Sequence, residues 1–298
     1  MTPLTVGKQT LIWGERTYVM GILNLTPDSF SGDGLLAAGD TPLENTLEQA
    51  RRFLAAGADI LDLGGESTRP GSQPVEASEE LSRVLPAIRA ISAEFPAALI
   101  SIDTYKAAVA EAAFHSGVSI LNDVWALRAD PDIASVSAKA GAPVILMHNR
   151  SRPANIEVRE RLGNAYLGSE YADLLVDVKR ELMESVEIAR SAGIADDHII
   201  LDPGIGFGKK VEQNLELIDR LQEIRQLGFP VLLGPSRKSF IGYTLDLPPD
   251  RRLEGTAAAV AIGISRGADI IRVHDVEFMR QVARMTDAIV RARSSGKI

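Results

Sequence analysis

Cysteine is absent from the 298-residue chain. That excludes disulfides, thiolate metal sites and cysteine nucleophiles, and it fits a reducing cytoplasm. No uninterrupted apolar run approaches the ~18 residues that a membrane helix needs. The nearest, TAAAVAIGIS over 256–265, is short, rich in small residues and ended by Arg266. The N-terminal MTPLTVGKQTLIWGER lacks the basic-then-apolar layout of a signal peptide. An excess of positive charge is also missing. The formal net charge is −8, which argues against non-specific nucleic-acid binding. An anionic ligand must then be held by locally placed cations.

What is present is a repeated unit. Short runs rich in Val, Ile and Leu occur at 18–25, 58–64, 98–104, 118–124, 143–149, 198–204, 229–236 and 268–275. Near-continuous apolar runs of this length predict parallel strands covered on both faces. Between them lie segments with helical spacing, such as the stripe Leu174, Leu175, Val178, Leu182 and Val186. A glycine (57, 117, 141, 193, 228 or 267) precedes six of the seven following strands, where it can stop a helix; Pro96 precedes the other. Eight strands alternating with helices predict an α/β fold, a (βα)8 TIM barrel, with a doubly wound open sheet as the alternative. TLIWGERTYVM reads as an N-terminal β-hairpin closing the barrel floor. No linker or composition shift divides residues 1–298, so one domain is expected.

Polar residues gather at the C-terminal ends of these strands. They are Asn24, Asp62, Asp103, Asn122 with Asp123, His148 with Asn149, Asp202, Ser236 to Lys238, and Arg272 with His274. In a barrel all these ends converge on one mouth, where such folds place their chemistry. Carboxylates and Asn amides make donor and acceptor edges for a flat polar heterocycle. Arg272, Lys238 and His274 suit a phosphate or diphosphate. DPGIGFGKK (202–210) matches neither the P-loop nor the dinucleotide glycine spacing and reads as a tight loop after a strand. The loops 24–34 and 64–72 are long for βα connections, which favours a contact or lid role.

MGILNLTPDSFSGDG, DLGGESTRPGS, SIDTYK, ILNDV, LDPGIGFGK, PSRKSFIG and RVHDV, in this order over residues 20–276, closely resemble the dihydropteroate synthases. The resemblance implies a (βα)8 barrel and a transferase of folate synthesis. Such enzymes condense 6-hydroxymethyl-7,8-dihydropterin diphosphate with p-aminobenzoate. It further implies that Asp62, Asp103, Asn122, Met147, Asp202, Phe207 and Lys238 hold the pterin. Asn24, Arg272 and His274 would hold the diphosphate, with Asn24 also a ligand of Mg2+. Pro27, Phe30, Thr68, Arg69 and Ser236 would meet p-aminobenzoate, and Arg237 would support them. Asp103, Lys238, Arg272 and His274 would carry the chemistry. A cytoplasmic homodimer is expected on the same likeness.

Two stretches depart from the family pattern. SFSGDG displaces the loop aspartate to Asp33, and MHNRSRPANI begins a polar segment reaching Ser169. Two other activities are compatible with a polar, pterin-sized mouth. A methyltetrahydrofolate-dependent corrinoid methyltransferase would need no diphosphate clamp. A catalytically silent pterin-binding paralogue would be expected to lack a pocket residue. His115, His198, Trp13 and Trp125 read as structural.

Overall fold

The computed structural model describes residues 1–26, 41–68, 71–152, 156, 157, 159 and 161–291. Strand β1 (Leu4–Val6) and strand β2 (Gln9–Leu11) form an antiparallel hairpin, with Val6 opposite Gln9 across a two-residue turn. Gly7 opens that turn at φ +58, a conformation cheap only for glycine. The hairpin lies earlier than the TLIWGERTYVM reading placed it. The later half of that stretch belongs to the first barrel strand instead.

Eight parallel strands follow. They are β3 (Tyr18–Asn24), β4 (Ile60–Gly64), β5 (Leu99–Asp103), β6 (Ile120–Asp123), β7 (Val144–Met147), β10 (Ile199–Asp202), β11 (Leu232–Leu233) and β12 (Ile270–Val273). They pair in the order β10-β7-β6-β5-β4-β3-β12-β11. A parallel bridge between Leu201 and Val231 joins the two ends, so the sheet closes into a barrel. All eight runs read from sequence are strands, and the open-sheet alternative falls on that bridge.

Outside run helices α1 (Pro42–Ala55), α2 (Ala77–Glu94), α3 (Ala107–Phe114), α4 (Ile133–Ala140), α5 (Leu174–Ser191), α6 (Val211–Asp219), α7 (Leu221–Arg225), α8 (Ser239–Leu245), α9 (Leu253–Ser265) and α10 (Val276–Arg291). All six pre-strand glycines take positive φ, as a helix stop requires. A second small hairpin, β8 (Ile156–Glu157) with β9 (Ala165–Tyr166), lies in the long connection after β7. Among the described residues no helix is long and apolar enough to cross a membrane.

Side chains alternate faces along a strand, and the two faces have separate cores. The outward set, including Val19, Leu61, Ile102, Leu121, Leu146, Leu201 and Ile271, packs on the helices. The inward set joins Tyr18, Met20, Ile60, Leu99, Ile120, Ile145, Ile200, Leu232 and Ile270 to Leu4, Val6 and Leu11 of the hairpin. Those three hairpin residues are at most 5% exposed, each worth about 2 kcal/mol of burial. The floor of the barrel is therefore sealed by apolar packing.

Candidate active site

The inward face turns polar two residues above the floor. Ile60 is followed by Asp62, Leu99 by Ser101 and Asp103, Ile120 by Asn122, Ile200 by Asp202, and Ile270 by Arg272 and then His274. Strand register aligns them: Asn24, Gly64, Asp103 and Asn122 form one row across β3 to β6. A Cβ on Gly64 would stand 3.5 Å from Asp103 Cβ and 3.9 Å from Asn24 Oδ1, which places Asn24 beside the acidic pair.

Arg272 ties the acids together. Its Nε donates to Asp62 Oδ2 and its Nη2 to Asp103 Oδ2, each at 2.6 Å. Asp62 also accepts from Ser101 Oγ at 2.6 Å and from Asn122 Nδ2 at 3.1 Å. Burial pushes the Asp103 carboxyl up to about 7 despite the guanidinium, and the charge of Asp62 adds to the rise. The predicted diphosphate cation thus faces inward, on two carboxylates.

A second cluster lies across the barrel. Asp202, in register with Met147, accepts from the Gly204 amide at 2.7 Å, and burial raises its pKa against the pull of Lys238. Lys238 donates to the Ile205 carbonyl and stands 4.6 Å from the centre of the Phe207 ring. Burial lowers its pKa to about 8. Ser236 pairs with His274, Oγ to Nδ1 at 2.9 Å, and accepts from the His274 amide at 3.2 Å. Arg237 turns away to Asp275, with Nε to Oδ2 at 3.0 Å, which makes it a brace for the loop.

Parity also removes two residues from the mouth. Asp123 and His148 fall on the outward face. Asp123 accepts from the Trp125 and Leu127 amides at 2.8 and 2.7 Å, fixing the turn after β6, and burial raises it to about 6. His148 meets Glu181 of α5 at 3.0 Å. Of the residues expected to meet p-aminobenzoate, Pro27, Phe30 and Arg69 lie outside the described residues, as does Asp33. Thr68 is described, and its carbonyl accepts from the Tyr166 hydroxyl at 3.1 Å.

Sequence reading missed three side chains that hold the site loops. Lys209 is 3% exposed and donates to the carbonyls of Gly204 and Phe207 at 2.8 and 3.0 Å. Lys106 sits between Glu66 and Glu80, 2.5 Å from the latter. Tyr166 reaches two loops. For both lysines the signal was available: each ends a quoted motif, SIDTYK or GFGK, where no ligand role was assigned.

The sequence profile described as pterin binding enzyme matches residues 20–274. The chain belongs to the pterin-binding enzyme family, among its dihydropteroate synthases. A dihydropteroate synthase of Clostridium beijerinckii is 47% identical over 97% of this chain and 100% of its own length. The dihydropteroate synthase of Clostridium difficile, solved in the presence of pteroic acid, superposes with TM-score 0.83 at 48% identity, covering 94% of this chain and 98% of that one. The Xanthomonas albilineans dihydropteroate synthase with 4-aminobenzoic acid gives TM-score 0.83 at 38% identity, covering 94% of both chains. The dihydropteroate synthase barrel is thus shared over nearly the whole chain, and the relatives place it with the synthases rather than with the corrinoid methyltransferases.

Proposed function

We propose that this transferase of folate synthesis joins 6-hydroxymethyl-7,8-dihydropterin diphosphate to p-aminobenzoate by a route in which diphosphate departs first. The observation that carries the reading is one inward face holding Asp62, Asp103, Asn122 and Asp202 together with Lys238 and Arg272. Asp202 would accept paired N–H bonds from the amino-pyrimidinone edge, Lys238 would donate to its acceptors, and Met147 and Phe207 would cover the ring.

The bond between the exocyclic methylene and the diphosphate oxygen breaks with its electron pair leaving on oxygen. The methylene cation that remains is conjugated with the dihydropterin ring. Asp103, as carboxylate, stabilises that charge, while Arg272 and His274 stabilise the leaving group. The aniline nitrogen then forms the new C–N bond and releases a proton. Ser236 and Thr68, with Pro27, Phe30 and Arg69, are proposed to orient the p-aminobenzoate and exclude water, which would otherwise capture the cation.

Asn24 fits Mg2+. Its amide oxygen is a hard donor beside Asp103, and magnesium keeps several waters and binds with phosphate oxygens. When bound, the ion supplies positive charge to the departing diphosphate. Among the described residues no group of three His, Cys, Asp or Glu could hold a metal ion.

A cytoplasmic homodimer is part of the proposal. Phe278, Met285 and Ile289 of α10 are 45%, 63% and 62% exposed, an apolar surface that a second copy would cover. Light scattering tests it. The activity is tested by pyrophosphate release with both substrates and Mg2+. Dihydropteroate formation that needs both substrates and is lost in Lys238→Ala supports the reading. Pterin binding without turnover would favour the silent paralogue.

A further inference from the structure

Tyr166 sits where three loops of the barrel mouth meet. Its hydroxyl, carried on the connection after β7, donates to the Thr68 carbonyl in the loop after β4. Its ring stands 6.1 Å from that of Phe207 in the loop after β10, with the planes 31° apart, within the range of offset aromatic pairs. Phe207 in turn covers the Lys238 ammonium. Tyr166 remains part-exposed.

The β8–β9 hairpin that carries Tyr166 is a strap fastened on opposite sides of the mouth. On one side, a Cβ on Gly71 would lie 3.2 Å from Ile156 and 3.4 Å from Asn164. On the other, the Tyr243 hydroxyl of α8 donates to the Gly163 carbonyl at 3.2 Å, and Arg252 Nη2 donates to the Leu162 carbonyl at 2.6 Å. The strap therefore has anchors that do not involve Tyr166. The aromatic ring is surplus to holding it down.

We propose that Tyr166 is a specificity-determining residue for the second substrate, its ring and Phe207 together lining one wall of the slot that takes the aryl amine. This rests on the synthase reading. A flat aminobenzoate approaching above a pterin held by Lys238 and Asp202 meets Phe207 at the pocket edge and Tyr166 next to it. The hydroxyl of Tyr166 sets the height of that wall by holding the Thr68 loop.

Steady-state KM values for each substrate test this in wild type, Tyr166→Leu, Tyr166→Phe and Tyr243→Phe, with thermal unfolding confirming the fold of each. Leucine keeps apolar bulk on the strap and phenylalanine keeps the ring, so loss of the ring is separated from loss of the fold. Tyr166→Leu is expected to raise KM for p-aminobenzoate roughly tenfold and leave that for the pterin within about twofold. Tyr166→Phe is expected to give a smaller rise, roughly threefold. Tyr243→Phe, which cuts a remote anchor, is expected to move neither. Equal rises for both substrates, an unmoved KM in Tyr166→Leu, or a Tyr243→Phe that matches it would overturn the inference alone. A wild type that forms no dihydropteroate would overturn the synthase reading with it.

Discussion

Lys209 Nζ stands 3.0 Å from His148 Nδ1, so an ammonium donor faces that nitrogen and the imidazole proton sits on Nε2, directed at Glu181. His148 is fully buried, and burial pulls its pKa from 6.5 to about 4. A histidine depressed in this way binds more protons when unfolded. Its contribution to stability is complete above pH 6.5 and is lost as the pH falls toward 4. Linkage sets the loss at up to about 3 kcal/mol. Urea unfolding of wild type and His148→Gln at steps from pH 7 to pH 4 reads it as a wild-type decline that the variant lacks.

Lys209 itself holds the turn that carries Asp202 and Phe207. Lys209→Met is expected to remove the ammonium donor of the Phe207 carbonyl and one of the two donors of the Gly204 carbonyl, which keeps the Phe207 amide, destabilising the fold by about 2 kcal/mol. Gly204 itself takes no larger residue, since a Cβ there would lie 1.8 Å from the His148 carbonyl oxygen. Chemical unfolding gives the cost, and KM for the pterin is expected to rise alongside it.

The pH dependence of kcat/KM should be bell-shaped. Asp103 acts as a carboxylate and is raised to about 7, so activity climbs as pH passes that value. Lys238 acts as an ammonium and is lowered to about 8, so activity falls above it. Lys238→Arg is expected to lower the maximum and abolish the alkaline limb, because a guanidinium does not deprotonate in that range. An alkaline limb that survives the substitution would remove Lys238 from the profile.

Arg272→Ala leaves Asp62 and Asp103 buried together without their counter-charge. The expected cost is about 3 kcal/mol at neutral pH, with turnover reduced roughly a hundredfold or more. Unfolding at pH 5 should recover part of the stability, as Asp103 takes up a proton. A loss equal at both pH values would mean that packing, not charge, is responsible.

Chelation is expected to abolish turnover and added Mg2+ to restore it. Asn24→Ala should raise the half-saturating magnesium concentration roughly tenfold. Titration of the rate with the metal decides it, and an unchanged midpoint would remove Asn24 as a ligand.

The barrel was legible because each strand carries its own apolar run and most joints carry a glycine, both local signals. Much of the site was legible for the same reason, at the strand ends. What the reading lacked was phase. Ile60 to Asp62, Ile120 to Asn122 and Ile200 to Asp202 each keep the period of two that marks the inward face, whereas Asp123 and His148 break it. The floor hairpin was displaced because the Gly7–Lys8 turn carried its signal and went unused. Hairpin β8–β9 could not be read, since its two-residue strands exist through contacts with Thr68, Tyr243 and Arg252 that are far away in sequence. Asp33 and the loop around it lie outside the described residues.

The apolar stopper formed by Leu4, Val6 and Leu11 closes the floor end of the barrel and leaves the mouth as the way in. Whatever lies deepest must come in first and go out last. On the proposed reading, a pterin seated between Asp202 and Asp103 would be trapped beneath the arriving amine, and the joined product would have to leave past the strap before another turn could begin. On that reading compulsory-order kinetics would follow from the floor, at the end of the barrel opposite the polar mouth.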